Sequence, residues 1–396
     1  MEIEIGRGKK ARRAYGFDDV AIVPSRRTRD PDDVDISWTL GPYRFELPLL
    51  GAALDGVVSP ETAGIIGRLG GLAVLNLEGI FCRYEDVDAQ LERIAGLSQE
   101  EATREMQEIY REPVKPELIA QRIREIKDQG VVVAASLTPQ RVREHYELAL
   151  EAGLDILVIQ GTVVSAEHVS TVTEPLNLKE FIGEVPVPVV VGGCASYHTG
   201  LHLMRTGAAG VLVGVGPGAI CTTRGVLGIG VPQATAIADV AAARSQHMLE
   251  TGEYVRVIAD GGMKNGGDVS KAIACGADAV MLGSALAKAY EAPGRGYNWG
   301  MATFHPSLPR GTRVKTAQNG SLEEILTGPA RENDGMFNLM GALRTSMATC
   351  GYRDIAEFNR AELMVAPALQ TEGKSLQRDQ QVGMGSNGRA VALVND

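Results

Sequence analysis

Three short segments, Glu151-Ala152-Gly153-Leu154-Asp155, Arg205-Thr206-Gly207-Ala208-Ala209 and Ala274-Cys275-Gly276-Ala277-Asp278, share one pattern. Each ends an amphipathic stretch on a glycine and then enters a short apolar run. A glycine there suits the residue just past a helix, where φ turns positive. The runs that follow are rich in β-branched residues, as expected of strands covered on both faces. Eight such runs are present: Leu49–Ala53, Gly71–Asn76, Gly130–Leu137, Leu154–Gln160, Val187–Gly192, Gly210–Gly214, Val255–Asp260 and Ala279–Gly283. Helical stretches lie between most of them, such as Pro60–Leu69, Pro139–Ala152, Tyr197–Thr206 and Asp268–Cys275. Alternation of this kind implies parallel strands. Eight strands with a repeated helix-to-strand junction favour an α/β (β/α)8 TIM barrel over a doubly wound sheet. Ligand groups are then expected at the C-terminal strand ends.

The remainder of the 396 residues is organised around that barrel. Residues 1–48 read as an irregular arm with a short hairpin near Trp38 to Phe45. Arg83 to Asp128, rich in Glu, Gln and Arg at helical spacing, reads as solvated helices on the rim. Residues 291–333 read as a flap, Asp334–Cys350 as a last amphipathic helix, and residues 366–396 as a polar tail. One barrel domain is expected over residues 1–396, with its core at about 12–376. A formal charge of −10 argues against nucleic acid or an anionic membrane as the main partner. No apolar run reaches membrane-spanning length, and the first residues are unlike a signal peptide. The five cysteines are scattered and form no CxxC pair, which suggests reduced thiols in a cytoplasm rather than disulfides or a zinc site. The six histidines show no metal-like spacing.

The chemistry is concentrated after the sixth strand, in Gly214-Val215-Gly216-Pro217-Gly218-Ala219-Ile220-Cys221-Thr222-Thr223-Arg224. Alternating glycines let the backbone approach a ligand closely, and successive backbone groups in such a turn can cradle an ion. A thiol held there is placed to attack a molecule bound above the strand ends. Asp260-Gly261-Gly262 ends strand seven and Gly283-Ser284 ends strand eight. In a barrel, that pair of loops is the usual phosphate grip, with backbone N–H groups aimed at the anion. Asp260 is suited to a ribose diol through charge-assisted hydrogen bonds. A nucleoside monophosphate beside a soft nucleophile is the ligand these features describe.

These strings resemble the IMP dehydrogenase/GMP reductase family. The resemblance extends over Phe17-Asp18-Asp19-Val20, the Cys221 loop, Gly228-Ile229-Gly230-Val231-Pro232-Gln233, Ala259-Asp260-Gly261-Gly262, Gly276 to Ser284 and Gly341 to Met347, and so over roughly residues 12–376. It implies that Cys221 attacks C2 of IMP, that hydride passes to NAD, and that water hydrolyses a thioimidate to XMP, with Thr223 in a catalytic role. It implies nucleotide contacts from Ala219, Tyr297, Gly300 and Met301. It implies cofactor contacts from Gln160, Gly161, Thr162 and Gly214. Carbonyls of Gly216, Gly218 and Cys221 would bind potassium, completed by Glu372 and Gly373 of a neighbouring subunit. Family barrels are usually homotetramers or homo-octamers.

The sequence departs from the family at several points. The Arg83–Asp128 insert is too short for the family's regulatory cystathionine-β-synthase (CBS) domains, so control through them is expected to be absent. The family's Arg-Tyr pair on the flap has no clear counterpart, leaving Arg310 and Arg313 as the nearest candidates for the base. The family Glu-Gly-Gly is Glu372-Gly373-Lys374, and Lys374 is a possible substitute for the cation. Gln160 stands for the family's Asp, Cys194 for its Asn and Leu212 for its basic residue. GMP reductase, and a nucleotide-binding paralogue without catalysis, therefore stand as alternatives. Asp55 is a second candidate for the ribose, and Trp299 is suited either to stack on a base or to plug the flap.

Overall fold

The computed structural model describes residues 2–169, 171, 175–300, 312–366 and 372–385. Its centre is a closed barrel of parallel strands: β1 (Leu49–Gly51), β2 (Leu72–Asn76), β3 (Ala134–Leu137), β4 (Ile156–Gln160), β5 (Val189–Cys194), β6 (Gly210–Val213), β7 (Arg256–Asp260) and β8 (Ala279–Leu282). Closure is made where β8 pairs with β1, Val280 opposite Leu49 and Leu282 opposite Gly51. Every residue of β3, β5, β6 and β8 is buried, which is why these runs carry no polar alternation. The (β/α)8 expectation is met, and seven of the eight expected strands contain an observed one, while β5 runs on two residues past the expected Gly192 to Cys194.

The repeated junction works as its glycines suggest. Gly153, Gly207 and Gly276 have φ of +103°, +90° and +116°. After two of them the next N–H reaches back five residues, Leu154 to Ala149 at 3.1 Å and Ala277 to Ala272 at 3.2 Å, which ends the helix and redirects the chain. The aspartates of the repeat then bind the backbone of a neighbouring strand. Asp155 accepts from the Val133 N–H at 2.8 Å, and Asp278 from the Val257 N–H at 2.8 Å. Asp278 also takes the buried Arg244 guanidinium at 2.8 Å. The junction therefore sets strand register as well as ending helices.

Several barrel helices start on side-chain caps. Ser59 accepts from Thr62 N at the head of Pro60–Arg68, and Asn265 from Asp268 N at the head of Gly266–Ala274. The hairpin of Trp38–Leu40 and Tyr43–Phe45 lies against the N-terminal strand ends. Tyr43 donates to Asp155, Arg256 to Thr39, and Gly41 packs so closely on Pro188 that a methyl group would meet its Cγ at 2.4 Å. One mouth is thus plugged and the other carries the long loops. The arm is more ordered than expected. Glu2–Gly6 pairs with Lys9–Arg12, and Val20–Ile22 pairs with Leu363–Val365.

Two expectations need correction. The expected helix Asp334–Cys350 begins only at Leu339, because Asn338, at φ +52°, caps it through Gly341 N. The rim helices Val87–Gly96 and Gln99–Ile109 are solvated on one side only. Val87, Leu91, Ile94, Met106 and Ile109 build a second core, and Trp299 of the flap hairpin Tyr297–Trp299/Arg313–Lys315 completes it. Among the described residues, no helix is long and apolar enough to cross a membrane.

Candidate active site

The open mouth is shaped first by contacts between the loops after β6 and β7. A methyl group at Gly214 would lie 2.1 Å from the Asp260 carbonyl oxygen, so only glycine lets the two strand ends meet. Gln233, first residue of the helix Gln233–Thr251, ties them together: its Nε2 donates to the carbonyls of Val213 at 2.7 Å and Asp260 at 2.9 Å. Gly261 and Gly262 follow at φ +81° and +83°. Pro217 and Gly218 lie against them, within 3.1–3.4 Å of where methyl groups would project. The cysteine loop therefore rests on the glycine pair expected to hold phosphate.

Cys221 Sγ is 3.0 Å from the Thr223 hydroxyl. Thr223 is fully buried at the start of a one-turn helix, Thr223–Leu227, whereas Cys221 is half-exposed. The other cysteines are buried. Burial pushes the Cys194 and Cys275 thiols up to about 12 and raises Cys82 further, which keeps them protonated and inert. Exposure and a hydroxyl partner set Cys221 apart from the other four cysteines. Ala219 is exposed beside it.

On β7, Asp260 sits low in the mouth, and burial raises its carboxyl to about 7. Gln160, at the end of β4, donates to its Oδ2 at 3.2 Å. The amide of Gln160, expected to face the cofactor, is thus also engaged with the expected ribose ligand. Gly161, the next residue, exchanges backbone hydrogen bonds with β5, its N–H to the Gly192 carbonyl at 2.9 Å and its carbonyl from the Gly193 N–H at 3.0 Å. Thr162 is half-buried alongside. A methyl group at Gly193 would be 3.5 Å from the Thr162 carbonyl and 2.5 Å from that of Gly214, so these backbones meet edge to edge.

At β8, Gly283 and Ser284 are half-buried, and Asn298 donates to Ser284 Oγ at 3.3 Å. Asn298 is fully buried and was missed in the sequence. The resemblance points instead to its neighbour Tyr297. Tyr297 is half-buried, beneath the Arg313 guanidinium at 4.3 Å from its ring centre, and Gly300 is buried. Met301 and Arg310 lie outside the described residues.

Three further expectations change. Arg313 is buried and donates to the carbonyls of Ile94 and Leu97, so it fastens the hairpin to the rim and is not placed as a base. Asp55 is buried and accepts from Tyr110 at 2.6 Å and the Ile80 N–H at 2.8 Å, so it holds the rim instead of a ribose. Trp299 is fully buried and donates to Tyr110 at 2.8 Å, so it plugs the flap.

For potassium the fit is poor in this geometry. The Gly218 carbonyl accepts from the Cys221 N–H at 3.0 Å, and the Arg224 side chain runs along Gly216, where a methyl group would meet its Nε at 3.2 Å. The Arg224 guanidinium donates to the Val231 carbonyl at 2.8 Å. Glu372 is exposed and Gly373 sits in a turn at φ +62°. Among the described residues, no cluster of His, Cys, Asp and Glu is arranged to hold a metal.

Comparison with known proteins agrees with this geometry. An IMP dehydrogenase/GMP reductase domain matches residues 14–375. The crystal structure of an IMP dehydrogenase/GMP reductase-like protein from Corynebacterium glutamicum superposes with a TM-score of 0.87 at 47% identity, covering 92% of this chain and 98% of that one. An uncharacterized oxidoreductase of Mycolicibacterium smegmatis is 49% identical over 92% of this chain and 99% of its own length. The inosine-5'-monophosphate dehydrogenase of Methanocaldococcus jannaschii is 27% identical over 92% of this chain and 95% of its own. With the domain matched across most of its length and relatives aligned nearly end to end, the chain belongs to the IMP dehydrogenase/GMP reductase family of oxidoreductases.

Proposed function

We propose that this oxidoreductase converts IMP to XMP with NAD as hydride acceptor. The observation that carries the reading is the half-exposed Cys221 thiol, 3.0 Å from the buried Thr223 hydroxyl, on a loop seated against Gly261-Gly262. Gly261, Gly262, Gly283 and Ser284 would take the phosphate, with Asn298 orienting Ser284. Asp260 would accept the ribose hydroxyls. The base would then lie beside Cys221.

The chemistry then balances as follows. Cys221 loses its proton and its sulfur adds to C2 of the hypoxanthine. The C2 hydride departs with its electron pair, leaving a thioimidate. Thr223 donates a hydrogen bond to the sulfur and orients the incoming water. Water adds at C2, the C–S bond breaks, and Cys221 recovers its proton. The sum is IMP, NAD+ and water giving XMP, NADH and a proton. Gly161 and Thr162 would hold the nicotinamide end, since their backbones meet Gly193 and Gly214 beside the thiol. When bound, the nicotinamide supplies the hydride acceptor.

A second reading is GMP reduction, in which NADPH delivers hydride and ammonia leaves. The commitment of Arg313 to the rim favours it, because a reductase needs no base for water. Acid-quenched protein after one turnover with IMP and NAD separates the two. The dehydrogenase reading predicts a purine nucleotide bonded to the peptide containing Cys221. An unmodified peptide, with an adduct formed from GMP and NADPH instead, would select the reductase.

A further inference from the structure

The Gln160–Asp260 hydrogen bond crosses the barrel mouth. β4 is bonded to β3 and β5, and β7 to β6 and β8, so the two residues stand on strands that do not touch. Gln160 Nε2 also lies 4.0 Å from Met281 Sδ on β8. A carboxylate that takes a vicinal diol must be ionised and must turn both oxygens toward the two hydroxyls. Among the described residues, Asp260 has no cation to enforce this. Among the described residues, β8 brings Met281 and the helix at Gln233 an amide on the main-chain carbonyl. The loop after β6 brings Cys221 as its titratable group. Burial and the Gln160 amide are the influences on the carboxyl. A neutral donor is the one group at β4 that can orient and ionise Asp260 without pairing with it permanently. A carboxylate in its place would repel it.

We propose that Gln160 is a positioning residue for the nucleotide: its amide holds the Asp260 carboxylate across the mouth in the ionised, diol-accepting orientation. The end of β4 then serves the substrate ribose instead of the hydride acceptor. The inference rests on the reading that Asp260 takes that diol.

The test is calorimetric binding of IMP to the full-length protein between about pH 5.5 and 8.5, with wild type, Gln160→Leu, Gln160→Glu and Asp260→Asn. The carboxylate form binds, so wild-type affinity should be level above its acid limb and fall up to about tenfold per pH unit below it. The carboxyl near 7 puts that limb at neutrality. Gln160→Leu should weaken binding several-fold at neutral pH and move the limb upward. Gln160→Glu, of nearly unchanged size, should move it further. Asp260→Asn should bind weakly with a level profile. The 2',3'-dideoxy nucleotide, lacking the diol, should bind all four proteins alike. An unmoved limb in both Gln160 variants, with Asp260→Asn weak, overturns the role of Gln160 and leaves the ribose reading standing. Asp260→Asn binding IMP like wild type overturns both. Loss confined to the KM for NAD in Gln160→Leu returns that residue to the cofactor.

Discussion

Cys221 and Thr223 are separated by one residue, yet one side chain faces the mouth and the other is buried beneath it. That geometry divides their roles. In Cys221→Ala, NADH formation from IMP should fall to background while IMP binding persists, because the thiol forms the bond and the glycine loops hold the nucleotide. Thr223→Val keeps the shape and loses the hydroxyl. It should slow turnover by about 10²-fold, in the range for a lost proton-transfer or orienting group, with little change in KM. Equal loss in KM and turnover would mean that Thr223 only shapes the loop. Single-turnover absorbance traces distinguish these cases.

At the scale of elements, the second core joins parts of the chain that no local pattern connects. Arg313 reaches the Ile94 carbonyl across 219 positions of sequence, and Trp299 reaches Tyr110 across 189. Trp299→Ala should cost about 3–5 kcal/mol of local stability, the usual range for emptying a buried aromatic site. Hydrogen exchange should show the rim helices Val87–Gly96 and Gln99–Ile109 opening before the barrel strands. Uniform loss of protection across the barrel would contradict a separate core. The junction glycines should differ among themselves. Gly153→Ala meets only the Lys127 side chain, at 3.7 Å or more, and should cost about 1–3 kcal/mol for its backbone conformation alone. Gly276→Ala adds a contact of 2.5 Å with the Ala241 methyl, so its loss in chemical denaturation should be distinctly larger.

Across the whole molecule, what was legible in the chain divides by the range of the interaction. Strands, junction glycines and the cysteine loop are local: burial on both faces, positive φ and a strand-to-helix turn each leave a mark within about ten residues. The barrel and the family followed from those marks. The hydrogen-bond partners of Arg313, Asp55 and Gln160 are not legible, for the opposite reason. Their residue types suit catalysis or ligand binding, but their partners lie far along the sequence, Asp260 100 positions from Gln160 and Tyr110 55 from Asp55. Trp299 was left between stacking and plugging because the core that encloses it comes from helices that looked solvated. Side chains at a barrel mouth are assembled from loops of different strands, so type and position on one strand do not determine which neighbour each will meet.

The central claim concerns the direction of hydride transfer, and one paired measurement addresses it. Absorbance at the reduced-nicotinamide band is followed in the purified protein with IMP and NAD, and separately with GMP and NADPH, each repeated in Cys221→Ala. The account predicts a rise in the first reaction that disappears in the variant, and no change in the second. A fall in the second with a flat first trace would contradict it and make the protein a reductase.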